Sequence, residues 1–190
     1  MLNHAQQGKE SFMKRILLPI IALVFTASVV LAADAPPGPN PKLKELGYFV
    51  GNWQCEGTSY AFMGVPEHKT KAAVEGNWTL NNYWLTIYYH ESQTAINAHP
   101  VAVRVYWGFD EQVKKFASGS VDDMGSFNIQ NSSGWEGNKL TWDGVTHGGG
   151  ATMKVRDVFT KVSATKVEHM SEIEMNGKWS KIDEETCIKK

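Results

Sequence analysis

Cysteine is scarce in this chain: 190 residues hold two, Cys55 and Cys187. Two distant cysteines cannot build a structural metal site, which takes about four ligands. His68, His90 and His99 show neither His-Glu-x-x-His nor His-x-His spacing. There is no phosphate loop and no dinucleotide fingerprint. No Gly-x-Ser-x-Gly elbow exists either, so His147-Gly148-Gly149-Gly150 reads as a glycine-rich hairpin loop and not as an esterase oxyanion loop. Asp110, Asp122 and Asp123 lack calcium-loop spacing and read as loop caps. Positive charge is also lacking. The chain has 19 basic and 20 acidic side chains, and its lysines are scattered, which gives no footprint for nucleic acid.

What is present begins with a leader. Residues 1–32 contain a signal-peptide pattern from Met13 onward. Met13-Lys14-Arg15 is a charged start, Ile16 to Leu31 is almost wholly apolar, and Val30-Leu31-Ala32 places small residues before a cut ahead of Ala33. Pro19 interrupts the apolar run, and a spanning helix needs about 20 apolar residues, so no membrane span is expected after cleavage. The expected location is periplasmic or secreted. Residues 33–41 form a Pro-rich linker, and 42–190 form one domain with neither repeat nor subdivision.

In an oxidising compartment an even cysteine pair favours a bridge. Cys55 lies near the start of the domain and Cys187 near its end. If the first and last strands are neighbours, a bridge would close the sheet covalently. All seven tryptophans also fall in this part of the chain. Large rings fill wide interiors or line ligand cavities.

Asn40 to Leu46 reads as a short helix, with Asn40 as its cap, Pro41 at its first position and Gly47 at its end. Beyond Tyr48 the pattern is β. Val101, Val103, Val105, Trp107 and Phe109 alternate, with Arg104 and Tyr106 pointing the other way. Tyr83, Leu85, Ile87 and Tyr89 form a second row, Phe127 and Ile129 a third, Leu140 and Trp142 a fourth, and Met153 and Val155 a fifth. Val167, His169, Ser171, Ile173 and Met175 share parity in a sixth. Asn81-Asn82, Glu136-Gly137-Asn138, Gly148-Gly149-Gly150 and Asn176-Gly177 are turn signals. About ten strands at near-regular spacing indicate an all-β fold, a sandwich or an up-and-down antiparallel barrel, with a short N-terminal helix. A barrel removes exposed edges and would set Cys55 beside Cys187.

The opening Gly51-Asn52-Trp53 resembles the first strand of the calycins, the lipocalin-like barrels. More of the chain, roughly 43–190, resembles the bacterial family of unknown function DUF1579. The resemblance rests on Gly108-Phe109-Asp110, Lys114-Lys115-Phe116, Asp122-Asp123-Met124-Gly125 and the closing hairpin from Gly177-Lys178 to Glu184-Glu185-Thr186-Cys187. Two positions depart from that pattern: Ser120 replaces a tryptophan and Cys187 a tyrosine. The resemblance implies a single lipocalin-like barrel and supplies no catalytic residues. More distantly, Gly51-x-Trp53-x-Cys55-x-Gly57 is similar to the Gly-x-Trp-x-Gly-x-Gly opening of the haem-binding nitrobindins. Those bind haem through a histidine near the C-terminus, and the last histidine here is His169.

The function expected is binding of a small apolar or amphipathic molecule inside the barrel. The candidate cavity residues are Trp53, Trp78, Tyr89, Val105, Trp107, Phe127, Trp142, Met153, His169 and Trp179. No catalytic residue, metal or cofactor is expected, with haem on His169 as the alternative cofactor. An enzyme of the barrel mouth is a second alternative. A third is a structural envelope protein with a solid core and an outer patch along Trp84, Tyr88 and Tyr106.

Overall fold

The computed structural model describes residues 37–97 and 99–190. The leader over 1–32 and the first part of the linker lie outside the described residues. A nine-residue 3-10 helix, Pro41–Phe49, comes first. Eleven strands follow: β1 Gly51–Ser59, β2 His68–Thr79, β3 Trp84–Glu91, β4 Ala102–Asp110, β5 Lys115–Asp122, β6 Phe127–Ser132, β7 Trp135–Glu136, β8 Lys139–Gly148, β9 Ala151–Ser163, β10 Lys166–Met175 and β11 Lys178–Lys189. Each strand pairs antiparallel with its neighbour in the chain, apart from the short β7, which pairs only with β8. Two further pairings, β1 with β11 and β6 with β8, close ten strands into a barrel. Among the described residues no helix is long and apolar enough to cross a membrane.

The helix runs beyond its expected end at Gly47. Asn40 caps it by accepting from the Lys42 amide at 2.9 Å, and it continues to Phe49. The chain then turns into β1 at Gly51, whose φ of +112° suits only glycine. This helix plugs one end of the barrel. Leu46 and Phe49 are buried, and the Phe49 ring meets Trp107 edge-on at 4.9 Å and stacks with Trp135 at 5.8 Å. Trp53 Nε1 donates to the Phe49 carbonyl at 3.1 Å and Trp135 Nε1 to the Glu45 carbonyl at 3.1 Å. Trp53 is buried and its N–H answers the carbonyl of the helix's last residue, while the half-buried Trp135 ties β7 to the helix at Glu45. The plug presses directly on β2, where a Cβ on Gly76 would sit 2.2 Å from the Phe49 carbonyl oxygen.

Cys55 and Cys187 face each other across β1 and β11 and are disulfide-bonded at a sequence separation of 132. The Asn176-Gly177 turn has positive φ at both residues, 51° and 76°, as a two-residue hairpin requires. The row Val101 to Trp107 and the residues Leu85, Ile87, Trp142 and Val167 face inward. Tyr83 does not belong with them: it sits in the β2–β3 turn, 38% exposed.

The row Phe127 and Ile129 faces outward, 43% and 55% exposed. Here the wall is inverted. Ser118 and Ser120 on β5 and Asn128 and Gln130 on β6 point in, while Val121, Phe127 and Ile129 point out. Alternation alone does not say which parity is inside, and on β6 the polar parity is needed to face a buried carboxylate.

Candidate acidic cavity

Between the helix plug and the loops at the other end, the barrel holds a partly open cavity of about 370 Å³. Near the plug its wall is apolar, made of Phe49, Trp53, Trp107, Trp142 and Phe159. Toward the far end it turns polar. Asp157 on β9, His169 and Ser171 on β10, Asp183 and Glu185 on β11, and Tyr89 and Glu91 on β3 all line it.

His169 is the hinge between these two regions. Its ring stacks on Phe159 with centroids 4.5 Å apart. Its Nε2 lies 3.1 Å from Asp157 Oδ1, and its Nδ1 lies 3.7 Å from Asp183 Oδ1. Gln130 Nε2 donates to the other Asp157 oxygen at 2.5 Å. Burial pushes against the charged imidazole, but the Asp157 hydrogen bond and charge, with Asp183 and Glu185 behind them, raise the His169 pKa to about 9. Burial likewise opposes the Asp157 carboxylate. The hydrogen bond and charge of His169, with hydrogen bonds from Gln130 and Ser171, outweigh it and hold that group below the usual range.

Asp183 has the opposite fate. Burial first, then the Glu185 charge, raise its pKa to about 7, with only partial relief from His169. Burial also raises Glu185, against the His169 charge and hydrogen bonds from Tyr89 and Thr70. Tyr89 Oη lies 2.7 Å from Glu185 Oε1 and 3.2 Å from Glu91 Oε1. The β3–β4 loop folds back to serve the other Glu91 oxygen, with Asn97 Nδ2 at 2.8 Å and the Val101 amide at 3.0 Å. His169, Asp183 and Glu185 each bring one ligand atom within 4.8 Å of the others, a grouping that no sequence spacing announces.

Of the ten residues expected to line a cavity, six do: Trp53, Tyr89, Val105, Trp107, Trp142 and His169. Four do not. Trp78 packs against the core beyond Gly76, on the far side of the plug's contact with β2. Phe127 lies on the outer face of the inverted wall. Met153 shares the inward parity of Asp157 and Phe159 but sits closer to the β8–β9 turn, beyond the lining. Trp179 is 37% exposed, under the Arg156 guanidinium at 4.3 Å. The register of β10 and β11 explains it: Ser171 pairs with Asp183 but Glu172 pairs with Lys181. That bulge adds one residue to β11 and reverses the parity before it. The proposed outer row is outward in part, with Tyr106 42% exposed and Tyr88 lying 3.7 Å beneath Arg104.

Sequence reasoning missed Glu91, Asp157, Asp183 and Glu185. Parity was the available signal. Asp183 and Glu185 stand four and two residues before the bridged Cys187, and Asp157 two after the buried Val155.

Similar proteins point the same way on fold. The crystal structure of Rv2717c from M. tuberculosis superposes with a TM-score of 0.63 at 9% identity, covering 80% of this chain and 99% of that one. At that identity the likeness concerns the fold alone. No match to a curated protein is found. The family model described as "Protein of unknown function (DUF1579)" matches residues 38–187, and the chain belongs to that family.

Proposed function

We propose that this protein is an exported barrel that binds a small amphipathic molecule in its interior. The cavity carries this reading. Its volume of about 370 Å³ falls in the range of small-molecule sites, and it joins aromatic walls to a few convergent polar groups. Burying the apolar part of a ligand against Trp53, Trp107 and Phe159 contributes about 25 cal/mol per Å² before ordering costs. The disulfide between β1 and β11 supports export, because such bonds persist in oxidising compartments.

Haem fits these residues poorly. An axial histidine must present a free nitrogen to an open apolar slot. His169 Nε2 is held by Asp157, and Nδ1 looks onto Asp183 at 3.7 Å. General-base catalysis by His169 is also disfavoured, since the Asp157 pair keeps the imidazole protonated at neutral pH.

Native mass spectrometry of the full chain, expressed in a bacterial host and purified from the periplasm, tests the proposal. The expected spectrum shows the processed, oxidised chain with a non-covalent adduct that leaves on denaturation. A bare chain after gentle extraction, with no apolar or amphipathic compound retained when offered, refutes it.

A further inference from the structure

We propose, building on the small-molecule reading above, that the cavity takes an organic cation. The ligand would be a protonated amine on an aromatic or aliphatic body, with its ammonium group seated among Glu91, Asp183 and Glu185.

Charge balance is the first ground. Among the described residues four acidic side chains line the cavity, and no lysine or arginine does. His169 is the one basic group, and Asp157 takes it up at 3.1 Å. Four acidic groups thus share one imidazolium, which also faces Asp183 at 3.7 Å, and burial raises the pKa of both Asp183 and Glu185. Burying unpaired charge is costly, so these acids hold their protons more tightly, and a cation seated among them would release that cost. A neutral ligand would seal these carboxylates from water, and an anion would add to their repulsion.

Donor balance is the second. The Tyr89 hydroxyl has one proton but faces both Glu185 at 2.7 Å and Glu91 at 3.2 Å. Thr70 gives Glu185 one more donor at 3.2 Å. Asp183 has only His169 Nδ1 at 3.7 Å, beyond hydrogen-bond reach. An ammonium group brings up to three donors and one positive charge to this deficit. The Tyr89 ring and the tryptophans of the wall add cation–π attraction for the cationic end.

A third ground is independent of the acids. Ser118 Oγ and Trp142 Nε1 belong to wall residues only 4% and 1% exposed, and neither atom has a hydrogen-bond partner. Buried orphans of this kind call for an explanation. An indole N–H can only donate, so a ligand that answers it carries an acceptor, a hydroxyl or carbonyl, away from its amine. A divalent ion alone leaves both orphans unanswered and most of the cavity empty.

Three near-isosteric probes test this: tryptamine, tryptophol and indole-3-acetate, titrated calorimetrically into the oxidised protein at pH 7.5 and low salt. Zn²⁺ and Mg²⁺ are titrated separately. Tryptamine is expected to bind at least about tenfold more tightly than tryptophol, with indole-3-acetate weakest. The preference should disappear in the Asp183→Asn/Glu185→Gln double variant, while tryptophol affinity survives; near-UV circular dichroism checks its fold, and Glu185→Gln alone serves if the double variant is misfolded. Tryptophol binding as tightly as tryptamine overturns the cation assignment and leaves the binding barrel standing. Zn²⁺ or Mg²⁺ binding that the double variant abolishes, without any amine preference, overturns it in favour of a metal. Binding of none of the probes, with no adduct in the native spectrum, removes the small-molecule reading itself.

Discussion

Asp183→Asn should make the protein more stable at pH 8 and leave it nearly unchanged at pH 4. Burial first, then the charges of Glu185, Glu91 and Asp157, raise the Asp183 pKa from 3.8 to about 7 against the opposing charge of His169. The folded chain thus keeps a proton that the unfolded chain has already released, and stability falls as pH climbs from about 4 to 7. A shift of roughly three units at 1.36 kcal/mol each gives a ceiling of about 4 kcal/mol above pH 7. The substitution also removes the attraction between Asp183 and the His169 imidazolium, 3.7 Å away, which offsets part of the gain. A net gain of about 2 kcal/mol at pH 8 is expected, or about 4–8 °C in Tm for a domain of this size. Urea unfolding of both chains at pH 4.5 and pH 8, with the disulfide intact, measures it. A variant that loses stability equally at both values would show that the carboxylate is satisfied in the folded state, and the cavity's charge deficit would be refuted.

The His169 imidazole should titrate near pH 9 by NMR. Because its folded pKa is raised, its stabilisation, about 3 kcal/mol, is complete below pH 6.5 and lost as pH rises through 9; a midpoint near 6.5 would contradict the Asp157 pairing. Replacing Cys55 and Cys187 by serine should cost at most about 5 kcal/mol of urea stability, the chain-entropy ceiling for a 132-residue separation, and an unchanged midpoint would mean the strands hold without it. Phe49→Ala should cost about 3–5 kcal/mol, since the ring locks the plug against Trp107, Trp135 and Phe159. A loss below 1 kcal/mol would show that the plug is not part of the cooperative core.

The barrel was legible in the sequence because most of its wall obeys one rule. Val103 to Trp107 alternate against Arg104 and Tyr106, Leu85 and Ile87 against Thr86 and Tyr88, and the turns at Asn81-Asn82, Gly149-Gly150 and Asn176-Gly177 have positive φ. The acidic end was not legible, because there the rule is broken for chemical reasons. Inward positions on β5, β6, β9 and β11 are filled by Ser, Gln, Asp and Glu, which a period-two reading assigns to solvent. On β6 this inverted the assignment of Phe127 and Ile129. On β11 a single extra residue near Ile182 turned Trp179 outward, and a bulge of that kind leaves no mark in hydropathy. The helix boundary failed for a simpler reason. A Cβ at Gly47 would meet nothing within 4 Å, so that glycine is not forced by a close approach and ends nothing, while the chain turns at Gly51.

β11 carries the bridged Cys187 together with Asp183 and Glu185. As a ribosome makes the chain, this is the last of the eleven described strands to emerge. Until it docks on β1 there is no closed wall, no partner for Cys55 and no acidic end to the cavity. The cavity cannot be complete before β11 is made, and the pairing that brings Cys187 opposite Cys55 also assembles its acidic end. A truncation that removes only β11 would therefore take away closure, crosslink and acidic end together, so a complete cavity exists only in molecules whose β11 has been made and docked.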